Sequence, residues 1–477
     1  MTPPEPRDAP QLLTYPDSLG GDLASIRRLL DGPLRGLFGG IHVLPPFPSS
    51  GDRGFAPMTY RDLDPRFGSW ADIRSLAQQH DVLLDVMVNH ISRQSAEFLA
   101  FERDGRAAPS ADLFITLDKV WPDGRPSPAD LARIFLRKPG DPFSTVSISA
   151  TREPIRIWTT FGTPDGFEQV DLDLRADATR RLIAGWFAGL AANGVRMVRL
   201  DAVGYVVKRA GTSCFMVEPE IWDVLAWLRA VAADVGMLVL PEVHDVHATH
   251  ERLSSQGYWT YDFVLPGLVL LAFETGEAAR LAAHLGRSPE RRFTTLDCHD
   301  GIPVNPDLEG ILSPREMTRL ADSVVARGGN VNRILSATHA DGVDVHQLNC
   351  TYYSALGEDD DRYLAARAIQ LFARGIPQIY YVGLLAGSND HEGVRSTGEG
   401  RAVNRHDYPA AGIEEALARP VVRRLMELLR LRATHPAFSG ELSVDTPTPS
   451  SVRLTRGSGT QRLALHVDLV SGRSDIT

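Results

Sequence analysis

The sequence predicts an α/β fold in which a parallel sheet closes into a barrel wrapped by helices. Loop-rich insertions and a small terminal β-domain are expected to decorate it. Short apolar runs alternate with segments of helical spacing, the rhythm of βαβ units. Polar and charged residues follow directly on several of those runs, as where active residues gather at the C-terminal ends of barrel strands. In two stretches the rhythm fails, and these read as insertions.

Taken in order, GLFGGIHVLPP carries the short run IHVL, a buried-strand signal. WADIRSLAQQH places Ile73, Leu76 and Ala77 on one helical face, and DVLLDVMVNH is again an apolar run with a polar end. From about Ser92 to Ala176, Pro, Gly, Asp and aromatic residues dominate, so 92–176 is expected to be an inserted domain. The rhythm returns with TRRLIAGWFAGLAANG (helix) and VRMVRLDAVGY (strand), then EIWDVLAWLRAVAADVG (helix) and MLVLPEVHD (strand). A second irregular insertion is expected over 302–356. Short alternating runs such as SVRLTR and RLALHVDLV suggest a small β-domain over 439–477. The barrel then takes 1–91, 177–301 and 357–438.

Composition narrows the function. The chain has 477 residues, 43% of them apolar, enough for a large enzyme fold with a sizeable core. No apolar run reaches 18 residues, so no membrane span is expected. The start, MTPPEPRDAPQLL, lacks the basic end and apolar core of a signal peptide, which points to the cytoplasm. Cys214, Cys298 and Cys350 are odd in number and widely spaced, so they are expected to be reduced and buried rather than disulfide-bonded or zinc-binding. A net charge of −10 without a basic stripe argues against nucleic acid as a partner. Only Lys119, Lys138 and Lys208 are lysines among 50 basic residues, a bias spread along the chain that makes any single arginine weak evidence.

Four segments put polar residues after an apolar run: DVMVNH (85–90), VRMVRLDAVGY (195–205), LVLPEVHD (238–245) and TTLDCHDG (294–301). On a parallel barrel these ends converge on one face and gather His90, Arg199, Asp201, Glu242, His299 and Asp300. Three carboxylates and an arginine suit glycosyl transfer, whose transition state carries positive charge. Retention needs one carboxylate as nucleophile and another as acid, about 5–5.5 Å apart. Arg199 precedes Asp201 by two residues on one strand, so both face the same side, and its charge is expected to keep Asp201 ionised. Glu242 has to be protonated for the first step, which requires burial or a neighbouring carboxylate to raise its pKa. Any one of these acids alone reads first as a surface or capping group; four such strand ends in this order are hard to obtain by chance.

These four segments resemble the signature regions of the α-amylase superfamily, glycoside hydrolase family 13. The segments RLDAVGYVVKRAGTSCFM, TTLDCHDGI, NCTYYSALG, PQIYYVGLLAG and NRHDY are closer still to its sucrose phosphorylase branch. The resemblance runs from about Gly40 to about Tyr408. It implies a (β/α)8 TIM barrel with Asp201 as nucleophile, Glu242 as acid/base and Asp300 as transition-state stabiliser. It also implies a glucose-binding set of Asp52, His90, Arg199, His299 and Arg405, with Asp52 and Arg405 on the far hydroxyls, closing the pocket beyond one sugar. Phe55 and Gln169 match further donor-pocket positions, although Phe55 reads equally as core. The branch looks free of calcium and organic cofactors, and the sequence has no EF-hand loop.

Phosphorylases of this branch use two loops that bind the leaving sugar and phosphate in turn. Here they correspond to 131–143 and 339–349, both rich in Gly, Pro or Asp. Both depart from ordinary sucrose phosphorylases: a pattern resembling YRPRP becomes FLRKP (135–139), and Asp-Leu-Tyr-Gln becomes Asp344, Val345, His346, Gln347. The segment SSGDRGFAP (49–57) departs as well. These changes resemble the sucrose 6′-phosphate phosphorylases, and Arg137, Lys138 and His346 are residue types that would recognise a phosphorylated acceptor. Inorganic phosphate, or the carboxylate of glycerate, would also suit Arg137. The expected activity is therefore a retaining phosphorylase of sucrose 6′-phosphate, giving α-glucose 1-phosphate and fructose 6-phosphate. Sucrose, glucosylglycerate and glucosylglycerol phosphorylases are alternatives, then an α-glucoside hydrolase. A catalytically dead scaffold fits poorly with an intact carboxylate trio.

Overall fold

A computed structural model describes residues 3–162, 166–303, 311–335 and 343–477, with backbone alone for 332–335 and 343–346. Eight parallel strands form the central sheet: β1 (Gln11–Thr14), β2 (Gly40–Val43), β3 (Asp81–Met87), β4 (Val195–Asp201), β5 (Leu238–Pro241), β6 (Thr260–Asp262), β7 (Arg292–Thr294) and β8 (Ile376–Tyr380). Their spatial order, β6-β7-β8-β1-β2-β3-β4-β5, is the circular order of a (β/α)8 barrel, with the ladder interrupted between β5 and β6. Leu83, Met197, Leu240, Tyr261, Phe293 and Ile376, from six of the strands, pack as one apolar cluster in the interior. Leu240 on β5 and Tyr261 on β6 belong to it, so packing spans the seam that hydrogen bonds leave open. The expected TIM barrel is the fold the chain adopts.

The strands form where the sequence is apolar on both faces. In β3, every residue after Asp81 is buried, as a sheet covered by helices requires. The helices show the complementary stripe. Ile221, Val224, Leu225, Leu228 and Ala232 line the inner face of the helix Glu220–Asp234, spaced three and four apart. The helix Trp70–Ala77 starts at Ser69 with Asp72 closing a capping box; it buries Ile73 and Leu76 and leaves Ala77 half-buried.

Two strands, His90–Ser92 and Gln169–Asp171, pair antiparallel and form the root of the excursion that leaves the barrel after β3. Between β7 and β8, the segment read as irregular holds a regular helix, Pro314–Ala326, capped by Ser313 and Glu316, and strands Asn330–Leu335 and Val343–Asn349 pair antiparallel. The strands 441–448, 451–458, 461–468 and 474–476 make a four-stranded antiparallel sheet at the end of the chain. Among the described residues no helix is long and apolar enough to cross a membrane. All three cysteines are free; Cys214 and Cys350 are buried, and Cys298 is half-buried.

Candidate active site

The ends of β3, β4 and β5 and the segment after β7 meet at one pocket, whose walls include His90, Asp201, Glu242, His299 and Asp300. On β4 the two-residue period puts Arg199 and Asp201 on one side, with Arg199 Nη1 3.0 Å from Asp201 Oδ1. The other end of the same guanidinium lies 2.9 Å from Glu242 Oε1, and Arg199 also pairs with the buried Asp85 of β3. One buried cation thus holds three carboxylates from three adjacent strands. After Asp201 the chain turns sharply: Ala202 takes a left-handed conformation (φ 52°), and its N–H donates to Glu242 Oε2 at 3.1 Å. Asp201 and Glu242 are therefore fixed to one another through Arg199 and through the backbone that follows Asp201.

The two carboxyls of the pair feel opposite electrostatic pulls. Burial pushes the Asp201 carboxyl well above the ordinary range; the Glu242 charge adds to this and Arg199 opposes it without prevailing. Burial also raises Glu242, but Arg199 and His244, whose Nε2 lies 3.0 Å from Glu242 Oε1, together hold it low. The reason is geometric: two nitrogen donors converge on one Glu242 oxygen, whereas Asp201 shares its arginine with Asp85 and Glu242. The two carboxylates titrate as a pair.

At the donor end, the loop 49–57 turns on two consecutive left-handed residues, Asp52 (φ 45°) and Arg53 (φ 48°). Gly54 follows at φ 110°, where a Cβ would stand 2.7 Å from the Pro45 carbonyl oxygen, so a larger residue there would displace the loop. Arg53 anchors the turn on Asp17 and Asp407. Phe55 then stacks flat on the His299 ring at 5.0 Å, lining the pocket while also packing in the main apolar core. Its carbonyl accepts from His90 Nε2 at 3.0 Å and from Gln169 Nε2 at 2.9 Å, which fixes both side chains. Arg405 donates through Nε to the His299 carbonyl at 2.8 Å and reaches toward Asp52 at 3.9 Å and Asp300 at 3.7 Å. Burial lowers His299 to about 3, so its imidazole is neutral near pH 7 and offers hydrogen bonds rather than charge.

On the acceptor side Arg137 lines the pocket, its guanidinium 5.7 Å from the Phe161 ring centre and 5.9 Å from that of Tyr205. Its buried Nε has no hydrogen-bond partner among the described residues. Gln347 also lines the pocket, its Oε1 equally unpartnered. Lys138 does not join them. It is buried, donates to Thr159 Oγ1 at 2.7 Å and is absent from the pocket wall. The side chains of Asp344 and His346 lie outside the described residues.

The pocket also contains residues that the sequence reading passed over: Phe161, Tyr205, Phe215, His244 and Arg401. Tyr205 and His244 sit within the strand-end segments already singled out, and Arg401 stands four residues before Arg405 in GRAVNRHDY, so proximity to a motif was the available signal. Phe215 likewise falls within the quoted segment RLDAVGYVVKRAGTSCFM, whereas Phe161 belongs to a loop without periodicity and gave no signal.

Among the described residues, Cys298, His299 and Asp300 bring donor atoms within 4.8 Å of one another, but they suit a cation poorly. Asp300 is engaged by Arg401 at 3.1 Å, and burial raises the Cys298 thiol far from the thiolate a metal needs. Exhaustive chelation is accordingly expected to leave both turnover and thermal midpoint unchanged. A loss restored by added calcium would contradict this.

A family model described as alpha amylase, catalytic domain, matches residues 16–257. The chain is 48% identical over 468 residues to a sucrose 6(F)-phosphate phosphorylase of Thermoanaerobacterium thermosaccharolyticum, covering 98% of this chain and 96% of that protein. It is 42% identical over 447 residues to a sucrose phosphorylase of Streptococcus mutans, covering 93% and 92%. The crystal structure of sucrose 6F-phosphate phosphorylase from Thermoanaerobacter thermosaccharolyticum superposes with a TM-score of 0.96 at 48% identity, covering 98% and 96%.

Proposed function

The chain belongs to the alpha-amylase family, glycoside hydrolase family 13, and is a glycoside phosphorylase of it; from that premise we propose that it transfers glucose from sucrose 6′-phosphate to inorganic phosphate with retention. Asp201 attacks the glucosyl C1 while Glu242 protonates the departing oxygen, releasing fructose 6-phosphate and leaving a glucosyl ester on Asp201. Phosphate then enters where the sugar left, Glu242 takes its proton, and a phosphate oxygen attacks C1 from the face opposite Asp201, breaking the ester bond and giving α-glucose 1-phosphate. Two displacements at C1 restore the original configuration. The single proton of the Asp201–Glu242 pair has to lie on Glu242 for the first step. A donor whose glycosidic oxygen replaces the His244 contact to Glu242 would favour that transfer.

Asp52 and Arg405 at the closed end hold the far hydroxyls of glucose, and Phe55, His90, Gln169 and His299 shape the ring site. The observation that carries the phosphorylated acceptor is Arg137. It is a guanidinium in the pocket wall without a carboxylate partner among the described residues, resting on aromatic rings. A phosphate monoester carries close to two charges near neutral pH and accepts several such hydrogen bonds.

Loss of one charge-assisted bond costs about 1.5–3 kcal/mol, roughly 10- to 100-fold. With glucose 1-phosphate as donor, Arg137→Ala is expected to weaken use of fructose 6-phosphate by about that factor. Use of fructose is expected to fall less, narrowing the selectivity between the two acceptors. Equal losses for both would mean that Arg137 serves inorganic phosphate alone. A wild type that prefers fructose, glycerate or glycerol would overturn the acceptor while leaving the donor chemistry in place.

A further inference from the structure

Arg401 is not one of the residues that the motif NRHDY singles out, yet it makes the shortest charged contact of Asp300 among the described residues. Its Nη1 stands 3.1 Å from Asp300 Oδ1, against 3.7 Å for Arg405 Nη2 on the same oxygen and 3.5 Å for His299 Nε2 on the other. It also lies 4.0 Å from Asp52 Oδ2, so it bridges the two acids of the donor end. The backbone beneath it is tied down. The Gly400 carbonyl accepts from Asn330 Nδ2 at 3.0 Å, and Asn330 Oδ1 accepts from Asn349 Nδ2 at 2.8 Å. A Cβ at Gly400 would come within 2.9 Å of that same Asn330 oxygen, so the close approach depends on glycine. Asn349 is on the strand that brings Gln347 to the acceptor side. Arg401 therefore has a fixed base and a fixed target.

We propose that Arg401 is the positioning residue of Asp300, clamping one carboxylate oxygen so that the charge stays ionised and correctly turned toward the glucosyl ring as positive charge develops there. The proposal rests on the reading of Asp300 as the carboxylate that stabilises the glucosyl transition state. A carboxylate at that depth is costly unless it is paired and oriented. Arg405 alone is a weak substitute: its Nε is committed to the His299 carbonyl and its Nη2 stands 3.7 Å away. Burial raises the Asp300 carboxyl, but Arg401, Arg405 and Arg199 hold it well below its usual range, and the neutral His299 ring faces its other oxygen at 3.5 Å. The acids Asp52, Asp201 and Glu242 also face it and act against the arginines, and Tyr15 and Cys298 complete its surroundings.

The test uses the first half-reaction alone, glucosylation by α-glucosyl fluoride, in wild type, Arg401→Gln and Arg401→Lys, with thermal midpoints confirming that each variant folds. Arg401→Gln is expected to lower kcat for glucosylation roughly 10- to 100-fold with KM little changed, the signature of a contact that matters in the transition state. Removing a cation raises the pKa of Asp300, so the acid limb of the pH profile is expected to move to higher pH. Arg401→Lys is expected to restore most of both. A rise in KM at constant kcat, or an acid limb that does not move in Arg401→Gln, would overturn the proposal. The donor half-reaction does not involve the natural acceptor, so a wrong acceptor leaves this test intact. A wild type that α-glucosyl fluoride does not glucosylate would instead overturn the reading of the pocket on which the proposal rests.

Discussion

Asp201→Asn is expected to reduce turnover by on the order of 10⁴- to 10⁶-fold, the scale seen when a covalent nucleophile is removed, while the protein stays folded. The amide is nearly isosteric and keeps an oxygen for Arg199. The Arg199 charge also remains compensated, because Asp85 and Glu242 contact the same guanidinium. The neutral amide cannot form the glucosyl ester, so no donor rescues it, α-glucosyl fluoride included. Steady-state rates with both donors, together with the thermal midpoint, check this. Substantial turnover from a folded Asp201→Asn protein would remove the residue from the nucleophile's place.

Glu242→Gln separates acid catalysis from the rest of the machinery. With a sugar leaving group, loss of the proton donor is expected to slow glucosylation roughly 10²- to 10⁴-fold. Fluoride departs without protonation, so glucosylation by α-glucosyl fluoride is expected to be largely spared. The contacts made by Glu242 constrain the interpretation. Arg199 Nη2 and His244 Nε2 both bear on Glu242 Oε1, and the Ala202 N–H bears on Oε2. A glutamine can keep an oxygen toward one side only, so a modest loss common to both donors is expected from orientation alone. The ratio between donors is the measure, and equal losses in burst-phase glucosylation would contradict the general-acid role.

Much of the barrel and its site was legible in the sequence, for a physical reason. A strand buried on both faces must be apolar until it ends, so a run such as VRMVRLD that breaks its own pattern with Arg199 and Asp201 marks where the chain meets a polar pocket. The same logic located Glu242, His299 and Asp300. The helix Pro314–Ala326 was passed over although its start carries the capping-box residues Ser313 and Glu316 and a proline at the first turn, because the neighbouring loops dominated the reading. Lys138 and Arg137 are adjacent in sequence and chemically alike; only the fold shows that Arg137 faces the pocket and Lys138 faces Thr159. The opposite pulls on the Asp201 and Glu242 carboxyls were inaccessible for a related reason. They depend on which ends of the Arg199 guanidinium point where, and on the placement of the His244 ring, neither of which periodicity encodes.

The most direct test of the account follows wild-type enzyme with sucrose 6′-phosphate and inorganic phosphate by phosphorus NMR. α-Glucose 1-phosphate and fructose 6-phosphate are expected to grow together in equal amounts, at a rate that rises with phosphate until saturation. Free glucose formed at a phosphate-independent rate would make the protein a hydrolase, and the β-anomer of glucose 1-phosphate would rule out the double displacement through Asp201.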